Sequence, residues 1–291
     1  MICYILKRLT ILLLFIITMS FSIVQIYAHT FSTNESVMFL ALVDNLKTQA
    51  QLIEQSLLEN DYDSAINHAQ LLKQLYNNDT NKEVQEENKR VANEITESIK
   101  SFSMIDPQNI TKAQIAKTVS DFEAVLDEAI TVRIADDILN NSTTQALRLA
   151  TLVNDVDINY ANSFNVPPYN MSAISIDNTT NHQQPQFTNT SAISLDNHGE
   201  NHTTTSKEIH NDTAYSTALG LSHTISDLFK EIQSKHKINE TEKVNQLNEG
   251  IAKLGSIIEM KKPYPEAVKA IHGLIQPSLQ ELYDLKLDIE K

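Results

Sequence analysis

One cysteine, five glycines and no tryptophan occur in 291 residues, and each scarcity removes a class of protein. Cys3 lies inside a leading apolar stretch, so the chain beyond it carries no thiol. Disulfides, thiolate metal sites and cysteine nucleophiles are excluded together. Glycine serves where a backbone turns sharply or takes positive φ, so its scarcity favours long helices over sheets and tight loops. Basic residues are short too, 23 Lys and Arg against 37 Asp and Glu. Such a surface repels phosphate backbones and anionic lipid, which argues against nucleic acid and peripheral membrane binding. A Gly-rich phosphate loop, a His-Glu-x-x-His run, a Gly-x-Ser-x-Gly elbow and the Glu-x-x-His pairs of di-iron bundles are missing as well.

What is present begins at Met1 to Ala28. Lys7 and Arg8 precede an apolar run from Leu9 to Met19, and no charge follows until the chain has passed Ala28. That is the layout of a secretory leader. Ile26-Tyr27-Ala28 sets a small residue at the cleavage position and makes His29 the expected mature N-terminus. The alternative is an uncleaved signal anchor, because the stretch is nearly long enough to span a bilayer. Either way the remainder is expected outside the cytoplasm, secreted or held at the outer face of the cell membrane. Membrane association then runs only through the N-terminal segment, if that is retained. Loss of Lys7 and Arg8 with the leader takes the formal charge from −14 to −16.

Eleven Asn-x-Ser/Thr acceptors follow: Asn34, Asn78, Asn109, Asn140, Asn141, Asn170, Asn178, Asn189, Asn201, Asn211 and Asn239. On an exported chain they predict a glycosylated surface.

Helical periodicity dominates the rest. Asn34-Glu35-Ser36 reads as a helix start, and Phe39, Val43, Leu46, Ala50, Ile53 and Leu57 step by four and three along one stripe. Asn60-Asp61 breaks it, and Asp61 or Asp63 opens a second helix carrying Ala65, Ala69, Leu72 and Tyr76. Asn77 to Asn81 reads as a loop, and Lys82 to Phe102 as one charged helix with Val91, Ile95, Ile99 and Phe102 inward. Asp106-Pro107 stops it, and Asn109 or Thr111 opens the next, which runs to about Leu139. Ala146, Leu149, Val153, Val156 and Tyr160 define a fifth. The expected fold is therefore all-α, antiparallel helical bundles built from αα-hairpins.

Composition shifts at Ser163. From there to Asp212 the chain is largely Asn, Thr, Ser, His and Gln, a long polar linker too poor in apolar residues to offset chain entropy and so expected to be disordered. It contains a duplication: Ser172-Ala173-Ile174-Ser175-Ile176-Asp177-Asn178 returns as Ser191-Ala192-Ile193-Ser194-Leu195-Asp196-Asn197. Helical spacing resumes with Ala218, Ser222, Ile225, Phe229 and Ile232, then Val244 to Ile258, then Val268 to Leu285, where Pro277 is expected to kink the helix. The predicted organisation is a leader (1–28), an N-terminal bundle (34–162), the linker (163–212) and a C-terminal three-helix region (213–291).

Candidate chemistry is confined to histidine. His198 and His202 lie four apart in the linker, His68 sits on the second helix, and a mature N-terminal His29 can chelate through its amine and imidazole together. The carboxylate pairs Glu123/Asp127 and Asp136/Asp137 read as solvated helix faces.

Four blocks, Asn60–Leu72, Val132–Ala150, Ala214–Ile232 and Pro265–Leu282, resemble a group of uncharacterised exported all-helical proteins of ammonia-oxidising archaea. The resemblance implies a helical fold and an extracytoplasmic address, and no activity. In that group the first hairpin carries several histidines. Here His68 occupies such a position, while Leu42 and Lys73 stand where others would be, which puts a shared metal site in doubt.

The expectation is a non-enzymatic, exported interaction or structural module without a cofactor, its partner an unidentified protein or cell-surface component. The alternative is an extracytoplasmic protein binding copper, iron or zinc through helix and linker histidines.

Overall fold

Asparagine does at these helix ends what glycine does in many proteins. The computed structural model describes residues 33–106, 109–169, 208–236 and 242–285. Its first helix, α1 (Thr33–Glu59), ends at Asn60, whose φ of 61° lies in the left-handed region that Asn tolerates. Backbone bonds from Asn60 to Leu57 and from Asp61 to Ser56 close the turn. The Asp61 carboxylate then accepts the Ser64 N–H and starts α2 (Tyr62–Leu75). Asn77 caps α3 (Asn78–Glu87) and Asn88 caps α4 (Lys89–Ser103), each accepting two backbone N–H groups. Thr111 and Gln114 form a reciprocal capping box at α5 (Lys112–Arg133), and the single turn α6 (Asp136–Leu139) follows. Asn141 caps α7 (Ser142–Ser163), and Asn211 accepts the Ala214 N–H at the start of α8 (Asp212–His236). The remainder is α9 (Glu242–Glu259), α10 (Tyr264–Ala270), a π-helical turn (Ile271–Ile275) and α11 (Gln276–Tyr283). Each side-chain cap is worth about 1 kcal/mol. The fold is all-α, with no strand among the described residues.

Two local expectations are corrected. The loop predicted from Asn77 to Asn81 is the first turn of α3, because the Asn77 side chain takes up the Asp79 and Thr80 N–H groups. The helix predicted over Lys82–Phe102 is broken at Asn88, which adopts φ −152° and ψ 101° to cap α4. At Pro277 the local consequence is a change of hydrogen-bond pattern. The residue has no N–H to give to the Gly273 carbonyl, and its ring would clash there. The chain instead widens into the π turn just before it, where the Gln276 N–H reaches five residues back to the Ile271 carbonyl.

Two apolar clusters fill the interior. One joins Leu40, Leu46 and Ile53 of α1 to Leu72, Val84, Ile95, Phe102, Phe122 and Leu126. The other joins Val37 and Ala41, also of α1, to Leu149, Val153 and Tyr160 of α7 and to Leu221, Phe229, Ile251, Ile258, Ile275 and Leu279. Helix α1 is the wall between them, and from Ser36 to Leu46 only Met38 is not buried. A helix covered on all sides is a central one.

The helical regions predicted at 34–162 and 213–291 pack against each other. Helix α7 shares its core with α8 to α11, and residues 33 onward form one compact unit. The core divides along α1, not at the polar segment. The predicted leader and residues 170–207 of the linker lie outside the described residues. No helix among the described residues is long and apolar enough to cross a membrane.

Candidate functional site

Between the two apolar clusters runs a seam of polar side chains from one face of α1, at positions 44, 45, 48 and 49. Spacings of one and four keep them on one side of a 3.6-residue helix. Asp44 receives two bonds from the Arg148 guanidinium on α7, each 2.6 Å. The Asn45 amide donates to Asp155 at 2.8 Å. The Thr48 hydroxyl meets Thr224 of α8 at 3.0 Å, and the Gln49 amide donates to Thr217 at 3.3 Å. Paired polar groups in a low dielectric are strong, and costly when one partner is lost.

His68 completes the seam. Its imidazole is fully buried, with Nδ1 2.7 Å from Gln49 Oε1 and Nε2 2.9 Å from the Ser216 hydroxyl. Burial pushes its pKa down to about 4, against a smaller opposing pull from Asp61. The ring is therefore neutral near pH 7. Gln49 Oε1 can only accept, so Nδ1 carries the proton, and Nε2 faces the Ser216 hydroxyl, which also lies within bonding distance of the Asp212 and Thr213 carbonyls. Neither nitrogen is left for a metal or a substrate proton in this arrangement. Among the described residues no group of three or more His, Cys, Asp or Glu side chains is placed to hold a metal ion. His29, His198 and His202 lie outside the described residues. Glu123 accepts from Gln51, and Asp127 pairs with Lys47 at 2.5 Å, so these carboxylates bind α5 to α1.

A second polar knot has no signal in the sequence. The Tyr264 hydroxyl of α10 donates to Asp157 Oδ1 at 3.0 Å and accepts the Tyr169 N–H at 2.7 Å. Asp157 is fully buried, its Oδ2 has no partner among the described residues, and burial raises its pKa to about 6. The Tyr169 ring lies 4.7 Å from that of His272, on the π turn. Tyr160, one turn further along α7, donates to the Lys262 carbonyl at 2.5 Å. Asp157 stands four residues after Val153 and three before Tyr160, beside the apolar stripe of α7, where α10 packs over it.

The surface carries two further features. A groove of about 240 Å³ between α2 and the end of α4 is lined by Leu57, Tyr62, Ile66, Ala69, Phe102 and Ile105, with Lys73 at its edge. Leu58, Tyr62, Ile66 and Met104, four of the exposed large apolar residues, lie on or beside it. Of the predicted glycan acceptors, Asn78, Asn109, Asn140, Asn141 and Asn211 are exposed and Asn34 is half-buried. Asn141 and Asn211 use only Oδ1 in capping. The Asn140 amide donates to the Asp136 carbonyl and that of Asn109 to Asp106. Asn170, Asn178, Asn189, Asn201 and Asn239 lie outside the described residues.

Compared with protein-family models, curated proteins and solved structures, the chain matches none of them.

Proposed function

We propose that this is an exported, glycosylated helical protein that works by binding a protein or another component of the cell surface, without catalysing a reaction. The observation that carries the reading is the contrast between interior and surface. The ionisable side chains drawn inside at His68, Asp44 and Arg148 are spent on one another or on neutral neighbours, while exposed apolar side chains gather at the groove of α2 and α4. Contiguous exposed apolar surface marks interaction sites in soluble proteins. The charge pattern of residues 1–28, the accessible acceptors Asn78, Asn141 and Asn211, and the likeness to exported helical proteins of ammonia-oxidising archaea support the address.

The test is photo-crosslinking on intact cells from a reactive side chain placed at Ile66. A discrete product with an outer-surface component, absent when the probe sits at Lys253, is expected. Mass spectrometry of the same material should find a chain beginning near His29 with glycan at Asn78, Asn141 or Asn211. A chain retaining Met1 and confined to the cytosol would overturn the reading.

A further inference from the structure

We infer that the exposed face of α2, with its groove against α4, is a two-fold interface whose occupant is a second copy of this chain, the two α2 helices lying antiparallel. The inference rests on the reading of the groove as an interaction site and deepens it by naming the partner.

The face is apolar at its centre and carries one free charge of each sign at its ends. Tyr62, Ile66, Gln70 and Lys73 recur by four, four and three, so they form one stripe along α2. Ile66, 51 % exposed, stands in the middle of the stripe. Met104, 62 % exposed, lies between the groove-lining residues Ser103 and Ile105. Asn67, Gln70 and Ser103 around them are exposed and uncharged. Asp63, beside Tyr62 in the first turn, and Lys73, in the last turn, are also exposed. Neither has an ion pair or a side-chain hydrogen bond among the described residues. A chain of formal charge −14 repels its own copy over most of its surface. On this face the free charges sum to zero.

A partner with the same apolar centre and the opposite order of charge is the same helix reversed. Asp63 and Lys73 are ten residues apart, about 15 Å along the helix. A two-fold axis passing midway, near the level of His68, sets each Lys73 against the other copy's Asp63 and so makes both ion pairs at once. It brings the two Ile66 side chains to about 6 Å from each other along the helix direction, so that they cover one another. Each copy then offers knobs, Ile66 and Met104, and a hole, the groove lined by Leu57, Ala69 and Phe102, as a self-complementary interface requires. A parallel pair would instead set Asp63 against Asp63 and Lys73 against Lys73. Helix α2 is about 21 Å long and 10 Å wide, and a face of that size falls short of the roughly 800 Å² per partner of a standard complex. The dimer is therefore a weak, reversible one.

The full chain with Cys3→Ser provides the test, because thiols then occur only where they are introduced. Analytical ultracentrifugation is expected to show a reversible monomer–dimer equilibrium. Ile66→Glu should weaken it about tenfold or more. Lys73→Glu should weaken it too, and adding Asp63→Lys to Lys73→Glu should restore it, because the pair re-forms with its signs exchanged. All three positions are exposed, so circular dichroism and melting of each variant are expected to match the parent chain. Register is read by mixing a chain carrying Asp63→Cys with one carrying Lys73→Cys. The two should link to each other faster than either links to itself, since like positions lie about 15 Å apart across the axis, beyond the Cα separation a disulfide spans. A monomer at every concentration overturns the proposal. So does a dimer indifferent to Ile66→Glu, a charge-exchanged chain no tighter than Lys73→Glu alone, or linkage of like thiols as fast as of unlike ones. The isolated chain meets only its own copies here, so a monomer leaves open another surface component at Ile66 on cells. A dimer stands whatever the chain's address.

Discussion

The imidazole of His68 and the hydroxyl of Ser216 are 148 residues apart in the chain and 2.9 Å apart in the fold. The bond ties α2 to the first turn of α8 across the polar segment. It belongs to a set that includes Gln49 with Thr217 and Thr48 with Thr224. These contacts join helices from opposite sides of residues 170–207, and Ser163 before that stretch accepts the His210 N–H after it at 2.7 Å. A covalent break in that segment therefore leaves the core undivided.

A chain opened at a specific protease site engineered between Asn178 and Thr188 is expected to elute as a single particle and to melt in one transition. Both pieces bury their apolar faces in the same cluster, Leu149 and Val153 against Leu221 and Phe229. Their separation on size-exclusion chromatography without denaturant would sink this prediction.

Two glycines on α9 should respond oppositely to the same substitution. A Cβ at Gly250 would lie 2.9 Å from Ile275 Cγ1 and 3.0 Å from Leu274 Cβ, both on the π turn. Neither contact is the far end of a flexible chain, so α9 and the turn must part. A Cβ at Gly255 meets nothing within 4 Å. Gly255→Ala should stabilise the protein by about 0.5–1 kcal/mol through helix propensity and reduced unfolded-state freedom. Gly250→Ala should cost about 1–3 kcal/mol, as overpacking does. Urea midpoints of the two variants check this, and shifts of the same sign would refute it.

These glycines also show what was legible in the sequence. The stripe of Phe39, Val43, Leu46, Ala50 and Ile53 is buried as its spacing predicts, and of the paired start candidates Asp61 or Asp63 and Asn109 or Thr111, Asp61 and Thr111 are the caps. Such features are local, set by periodicity and by side chains that reach backbone within three residues. The break at Asn88 was local as well, but an Asn inside a charged run competes with strong helix formers, and composition alone favours the run. The partners of His68, the pairing of Asp44 with Arg148 and the burial of Asp157 depend on contacts more than a hundred residues apart, except for Gln49 beside His68. The shared core was hidden for the same reason. A polar stretch of fifty residues looks like a boundary until α7 and α8 are seen side by side.

The pairing of Asp44 with Arg148 supplies the third prediction. Both side chains are largely buried, with 8 % and 14 % exposure. Arg148→Met removes the guanidinium and strands the Asp44 carboxylate, at a cost of about 3–5 kcal/mol. Asp44→Leu combined with Arg148→Met removes both charges and should recover a good part of that loss. A double variant no more stable than Arg148→Met alone would show that the carboxylate is solvated or bonded in another way.

The last prediction concerns pH, where two buried groups act in opposite directions. His68 has a pKa of about 4 in the folded protein against an ordinary 6.5, because burial disfavours its charged form. Between those values the unfolded chain binds a proton that the folded chain refuses, so this group makes stability rise with pH. Asp157 has a folded pKa of about 6 against an ordinary 3.8, again through burial. Between those values the folded chain holds the proton and the unfolded chain releases it, so this group makes stability fall as pH rises. Asp155, whose pKa burial also raises to about 6, adds to the falling side. Each full shift is worth at most about 3–3.5 kcal/mol at 1.36 kcal/mol per unit. Two raised carboxyls outweigh one depressed imidazole, so the wild type should lose stability as pH rises from 4 to 6. Relative to it, His68→Gln should lose stability more steeply as pH rises through this window. Asp157→Asn should lose it less steeply or gain. Urea unfolding of the three proteins at half-unit pH steps reads these slopes directly. Deviations of the same sign in both variants would mean that one of the two groups is not held in the protonation state its burial dictates.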